Sequence, residues 1–311
     1  MLSKESQSKI SIVFLFLGYA IFGFSFLFSK KAMMETTPFV MLAFRFSVAF
    51  LIMNLVMLFK KKKPVFKGKK LLYVFLLGLV QPVLYFLCEG YGVKLLQTSY
   101  VGIILSMIPM TSFLLGFLFL KEKVKKIQVV FAFVSIVGVF LTTLGESQGD
   151  FSWLGFALIF GSVITASMFS VLSRKVATEF DAFERTYIMF FIGFITFTIL
   201  GLIDSIGNFQ TLVVAPMKNF MFWIDILYLA GVSSVGAFLM INYAMTHTPV
   251  AKASIFTNLT TVISIIAGVL FLNEEFGLFQ AIGSLIIIAS VYAVNRRRKV
   301  KSSPISQAMI G

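Results

Sequence analysis

The chain has 311 residues, of which 59% are hydrophobic, 16% aromatic and only 13% charged, and its mean hydropathy is +0.96. A soluble domain carries about a quarter charged residues, so this composition excludes an ordinary soluble fold and implies a polytopic membrane protein. The formal charge is +14, but most basic residues stand in short tracts between apolar runs, where they act as topology signals and not as a nucleic-acid footprint.

The first nine residues are short and polar, and the apolar run after them is long enough to span, with no small-x-small cleavage site following. It is expected to be the first span, not a removed signal. Uncharged runs near the length needed to cross about 30 Å of hydrocarbon then give ten expected spans: residues 10–28, 38–59, 71–88, 97–120, 127–144, 151–173, 186–203, 221–243, 251–272 and 276–294. The second contains Arg45 and the eighth Asp225. The tail, 296–311, is basic and polar.

With the N-terminus in the cytoplasm, 21 of the 27 Lys and Arg residues fall in cytoplasmic segments and four in outer loops; Arg45 and Lys252 lie within spans. The positive-inside rule therefore places both termini in the cytoplasm. The fold expected is all-α, an integral membrane bundle of the plasma or inner membrane.

One stretch occurs twice. Leu118–Val124 reads L-F-L-K-E-K-V, and L-F-L-N-E-E-F starts 152 residues later at Leu270. At the same offset Tyr91 falls on Tyr243, Glu122 on Glu274 and Gln128 on Gln280. Matches of Leu and Phe are cheap in such a chain, but Tyr, Glu and Gln in one register are the mark of a duplication. Ser29-Lys30-Lys31 aligns with Ser173-Arg174-Lys175 at offset 144. Two units follow, 1–146 and 151–295. With five spans each they enter the membrane in opposite directions, an inverted repeat of the kind that builds alternating-access transporters.

These features resemble a known family, the EamA type of the drug/metabolite transporter superfamily. The resemblance is carried by Phe22-Gly23-Phe24-Ser25-Phe26 leading to Ser29-Lys30, by Pro38 with Arg45 seven residues on, and by L-F-L-x-E followed by Gln128 or Gln280. It covers residues 10–295. Phe22 stands where the family often has tryptophan, and the second half has Met189 near the position equivalent to Arg45. The resemblance implies a transporter of small metabolites such as amino acids, and export as its direction. It implies no particular substrate.

Polar groups inside a bilayer are costly, so each needs a reason. Gln81, Tyr85 and Glu89 recur every four residues and share one helix face. That stripe either lines a wet cavity or joins helices, with Glu89 at the outer interface. Arg45 either receives an anionic substrate group, with Glu89 as resting partner, or snorkels to headgroups. Ser254 and Asn258 share a face of the ninth span, whose repeat partner, the fourth, carries Ser106. These are the remaining candidates for substrate contact, the alternative being helix packing.

Tyr91 and Tyr243 occupy equivalent helix ends, as interface anchors or as gates on opposite sides of the membrane. Glu122 and Glu274, also on opposite sides, are expected to close one helix and open the next, where a carboxylate suits the helix N-terminus. Glu89 is the group that would carry a proton if transport is proton-coupled.

No cofactor is expected. One cysteine, Cys88, excludes an intrachain disulfide and a cysteine-rich metal site, and one histidine, His247, excludes multi-histidine ligation. A glycine loop of the Walker type is absent from the sequence, which argues against ATP drive. The expected partners are a small-molecule metabolite and the lipid bilayer, with no nucleic acid. The rival readings are an uncoupled facilitator, an integral-membrane enzyme acting on lipid, which would need clustered acids or histidines at one interface, and a non-transporting receptor or scaffold.

Overall fold

A computed structural model describes residues 4–60, 71–95, 104, 105, 107–143, 152–272 and 277–295, and every regular element among them is helical. In chain order the main helices are α1 (Lys4–Ala32), α2 (Pro38–Lys60), α3 (71–95), α4 (Ile108–Leu120), α5 (Lys126–Thr143), α6 (Trp153–Val176), α7 (Ala182–Asp204), α8 (220–247), α9 (250–272) and α10 (Leu278–Asn295), with a short helical segment over 210–217.

Among the described residues six helices are long and apolar enough to cross a membrane, namely α1, α2, α3, α6, α7 and α8. For the fourth, fifth, ninth and tenth expected spans the described residues give apolar helical stretches over Ile108–Leu120, Lys126–Leu141, Val250–Ile263 and Ala281–Ala293. The α4 helix stops at Lys121, whose backbone is left-handed (φ 53°), and α9 opens with a tight 3₁₀ stretch, Ser254–Asn258, before its regular part. The expected start of the fourth span lies outside the described residues. The third span was expected to end at Cys88, but α3 continues to Leu95.

Two helices widen partway along. In α3 the wide turn is Leu79–Leu84, with Gln81 extended (φ −144°, ψ 122°) beside Pro82, which has no N–H to continue the ladder. In α8 it is Tyr228–Ala237, rich in Gly and Ser. The offset of 152 carries Gln81 and Pro82 onto Ser233 and Ser234, so the two irregular stretches coincide. Such breaks are tolerated at membrane depth only where protein or a cavity covers the freed backbone groups.

The packing follows one rule. Helix α1 lies along α8 and α9, and α6 lies along α3 and α4. Helix α2 packs on α7 and reaches α8, while α7 reaches α3; α5 packs on α10. Exchanging α1–α5 with α6–α10 maps this pattern onto itself. Close approach is needed at Gly23, where an added Cβ would lie 2.5 Å from Ile263 on α9, and at Gly138 on α5, where it would lie 2.9 Å from the Gly283 carbonyl on α10.

The core between the halves is aromatic. Phe46 stacks on Phe197 at 5.2 Å and meets Phe190 edge-on at 5.7 Å, and Phe238 takes edges from Phe22, Phe169 and Phe190. Phe16, Phe59 and Phe119 face outward. Thus the phenylalanines divide into a packed seam and an outer coat.

Candidate functional site

The centre of the bundle holds Arg45. The α2 helix buries it to 3% exposure, which no cation tolerates without partners. Its Nε donates to Ser234 Oγ at 2.8 Å and its Nη2 to Ser233 Oγ at 3.2 Å. Both serines are fully buried on the widened turn of α8. The guanidinium also faces the rings of Phe86 (5.1 Å) and Phe46 (5.8 Å). Arg45 therefore joins the two halves at the irregular part of α8.

Helix α3 adds the polar stripe expected from sequence. Tyr85 donates to Glu89 Oε1 at 3.0 Å. Both interact electrostatically with Arg45, but no direct ion pair joins Arg45 to Glu89. Glu89 was expected as the resting partner of Arg45; the serines of α8 take that place. Gln81 is 7% exposed and its Oε1 has no hydrogen-bond partner. Tyr228, at the start of the α8 widening, stacks on Phe28 at 3.8 Å and donates to the Ile21 carbonyl. Arg45, Gln81, Tyr85 and Glu89 thus come from helices that meet around the two interruptions.

The other candidates lie elsewhere. Asn258 is buried, but its Nδ2 donates to Ser135 Oγ on α5 at 2.6 Å, so it ties α9 to α5. Ser254 is fully buried on the 3₁₀ stretch of α9 and its hydroxyl has no partner. Tyr91 is 47% exposed and meets Phe39 edge-on. Tyr243 meets Phe14 at 5.3 Å and lies over His247 at 4.5 Å. Ser106 and Glu274 lie outside the described residues.

Glu122 behaves differently from expectation. It does not cap the helix that follows it, because Gln128 Oε1 already accepts from Lys125 N–H at the start of α5 (2.8 Å). Glu122 Oε2 instead accepts from the N–H of Val250, the first residue of α9, at 2.9 Å. Its other oxygen stands 3.7 Å from Arg174 Nε at the end of α6. Arg174 in turn donates to the Met245 carbonyl at 3.0 Å and to the Thr246 carbonyl, both at the end of α8. Loss of solvation pushes the Glu122 carboxyl above its ordinary value, against the opposing pull of the Val250 N–H and Arg174.

A second buried arginine was missed. Arg185, on α7, has no exposed surface. It donates to the Ser173 carbonyl (2.6 Å) and hydroxyl (2.8 Å), the Asn242 carbonyl (2.5 Å), Thr246 Oγ1 (2.6 Å) and the Asp181 carbonyl (3.3 Å). Asn242 accepts from Ser173 Oγ and donates to Thr186, which closes the network. The position equivalent to Arg45 is indeed Met189, but the buried cation of the second half stands one helical turn earlier. The available signal was the pair Asn242 and Thr246, one turn apart inside an apolar helix.

Similar proteins give this arrangement a family. The EamA-like transporter family matches the chain twice, over residues 9–144 and 153–296. Among curated proteins, the uncharacterized transporter YcxC of Bacillus subtilis is 30% identical, over 96% of this chain and 97% of its own length. A WAT1-related protein of Arabidopsis thaliana is 23% identical, over 94% of this chain and 84% of its own. A solved crystal structure at 19% identity shares the fold with a TM-score of 0.73, covering 94% of this chain and 97% of that one. With two family matches spanning nearly the whole chain and six helices fit to cross a bilayer, this chain belongs to the EamA-like transporter family of the drug/metabolite transporter superfamily and is a multi-pass membrane transporter.

Proposed function

We propose that the protein is a secondary transporter that exports a small organic metabolite across the plasma or inner membrane, by alternating access around the Arg45 cluster. The observation that carries this reading is the chemistry of the cluster. A buried guanidinium held by two neutral hydroxyls keeps its full charge available, and 7%-exposed Gln81, at the interruption of α3, presents an acceptor without a partner. An anionic group on Arg45 and a donor group on Gln81 or Glu89 would complete both, so the substrate class is a small metabolite with a carboxylate-like group, such as an amino acid or a related compound. Binding at widened, broken helices near the middle of the bundle is how inverted-repeat transporters form their sites.

Two five-helix units, 1–146 and 151–295, related by inversion with both termini cytoplasmic, fit the exchange symmetry of the packing and the coincidence of the wide turns. In this reading α5 and α10 are peripheral, and the phenylalanine seam is where the units rock. Coupling to protons would run through Glu89, which is half-buried and held by Tyr85.

Proteoliposome counterflow with candidate amino acids, chosen from metabolites whose extracellular level changes with expression, tests the reading. Ser233→Ala/Ser234→Ala, which removes both supports of Arg45, is expected to weaken apparent affinity roughly tenfold or more, the worth of hydrogen bonds to a charged group. Unchanged transport by this variant and by Arg45→Ala would remove the site proposal. An uncoupled facilitator would give the same counterflow with and without a pH gradient.

A further inference from the structure

Four helix ends converge on Glu122 and its partner Arg174. Glu122 follows α4, Arg174 ends α6, Met245 and Thr246 end α8, and Val250 begins α9. Each bond crosses between elements that no local sequence pattern joins, and the Glu122–Val250 contact links the two halves over 128 residues. The surroundings are tightly packed. Val250 and Met245 have no exposed surface, and Gly116 on α4 comes within 3.6 Å of the Val250 Cβ when a Cβ is built on it.

The residues one turn further into the bundle make the second observation. Ser112 on α4 and Ser254 on α9 are each one helical turn inward from the Gly116–Val250 contact. Both are fully buried, and neither hydroxyl has a hydrogen-bond partner. A buried hydroxyl without a partner is costly. A conformation in which this end separates would admit water to both groups and relieve that cost. The bonds of Glu122 oppose the separation, and the desolvation of its carboxyl keeps the opposition modest, as a contact that must open repeatedly requires.

We propose that Glu122 and Arg174 form a clasp that holds this end of the bundle closed in the conformation seen here, and that its release exposes Ser112 and Ser254 to the side bearing Lys121–Lys126. The charge distribution puts that side in the cytoplasm. The clasp rests on the alternating-access reading for its purpose, but its existence is measurable without any substrate.

The test uses the full chain with Cys88→Ser and a single reporter, Ser254→Cys, labelled by a membrane-impermeant maleimide in intact cells and in everted vesicles. Labelling is expected to be slow with the clasp intact. It rises roughly tenfold in Glu122→Ala and in Arg174→Ala, the shift expected when a hydrogen bond to a charged group is lost, and only from the face that carries Lys121. The double variant labels no faster than the faster single one, because the two residues act as a unit.

Glu122→Lys, which sets two cations together, serves where an alanine variant fails to insert and is expected to show the same rise. Unchanged labelling in the inserted variants, or rises that multiply in the double variant, would overturn the clasp. Absence of transport for every substrate together with the expected rise would leave the clasp standing and sink the transport reading; transport with unchanged labelling does the reverse.

Discussion

The two buried arginines should answer to mutation in opposite ways. Arg185 makes five hydrogen bonds at 2.5–3.3 Å and has no exposed surface. Three of its acceptors are backbone carbonyls near helix ends, at Ser173, Asp181 and Asn242, and cannot turn toward other donors. Arg185→Ala therefore removes the side chain that ties α6, α7 and α8 together and leaves a cavity. Breaking a buried network of this kind costs roughly 3–5 kcal/mol. At about 2–4 °C per kcal/mol for a chain of a few hundred residues, the apparent Tm in detergent should fall by about 10 °C.

Arg45 makes only two hydrogen bonds, both to serine hydroxyls. Those can rotate back to a carbonyl of their own helix once the guanidinium is gone, so Arg45→Ala should lower Tm by a few degrees at most. Its loss falls on transport instead. A thermal-unfolding series on both purified variants, paired with counterflow, reads the contrast. A fall under about 3 °C for Arg185→Ala, or a larger fall for Arg45→Ala than for Arg185→Ala, would refute the division into a structural and a functional arginine.

Two further outcomes follow from local geometry. A carboxyl whose proton affinity is raised on folding adds stability below the ordinary carboxylate range and loses it as pH rises through the raised value. Glu122 is such a group, so the Tm of the wild type relative to Glu122→Gln should fall as pH rises just above that range; parallel pH profiles would show that Glu122 is not desolvated. Gly23→Val sets new carbon against Ile263 and against the Thr260 carbonyl, which a Cβ already approaches to 2.9 Å. It should cost roughly 1–3 kcal/mol and separate α1 from α9, detectable as a lower Tm that Ile263→Ala partly restores.

The apolar spans were legible because bilayer thickness fixes their length and charge interrupts them. Their ends were less so: α3 runs past Cys88 to Leu95, since nothing in the sequence stops a helix at a cysteine. Arg45 was legible as a residue that must be answered by something, and the stripe of Gln81, Tyr85 and Glu89 as one face. The partners of Arg45 were not named, although the repeat pointed at them: Ser233 and Ser234 are Gln81 and Pro82 carried forward by 152. Arg185 was counted among the topology charges because it follows closely on Arg174 and Lys175. Its burial comes from the crossing of α7 with α8, which leaves no periodic mark. Asn258 was chosen for its polarity within an apolar run, and Ser135 on a different helix accounts for it.

The repeated L-F-L-x-E element shows how one motif can carry two separable tasks. Its glutamate was expected to act locally, at the start of the helix that follows. The structure assigns that local task to Gln128 alone. The left-handed backbone at Lys121 ends α4 and turns the chain, leaving Glu122 beyond the helix end, where its carboxylate meets the first N–H of α9 and Arg174 of α6. A helix N-terminus favours a negative charge whether the carboxylate comes from its own chain neighbour or from 128 residues away. Electrostatics alone therefore could not choose between the two from sequence; what decides it is that Gln128 already occupies the nearer site. In Glu122 the motif marks a junction between α4, α6 and α9.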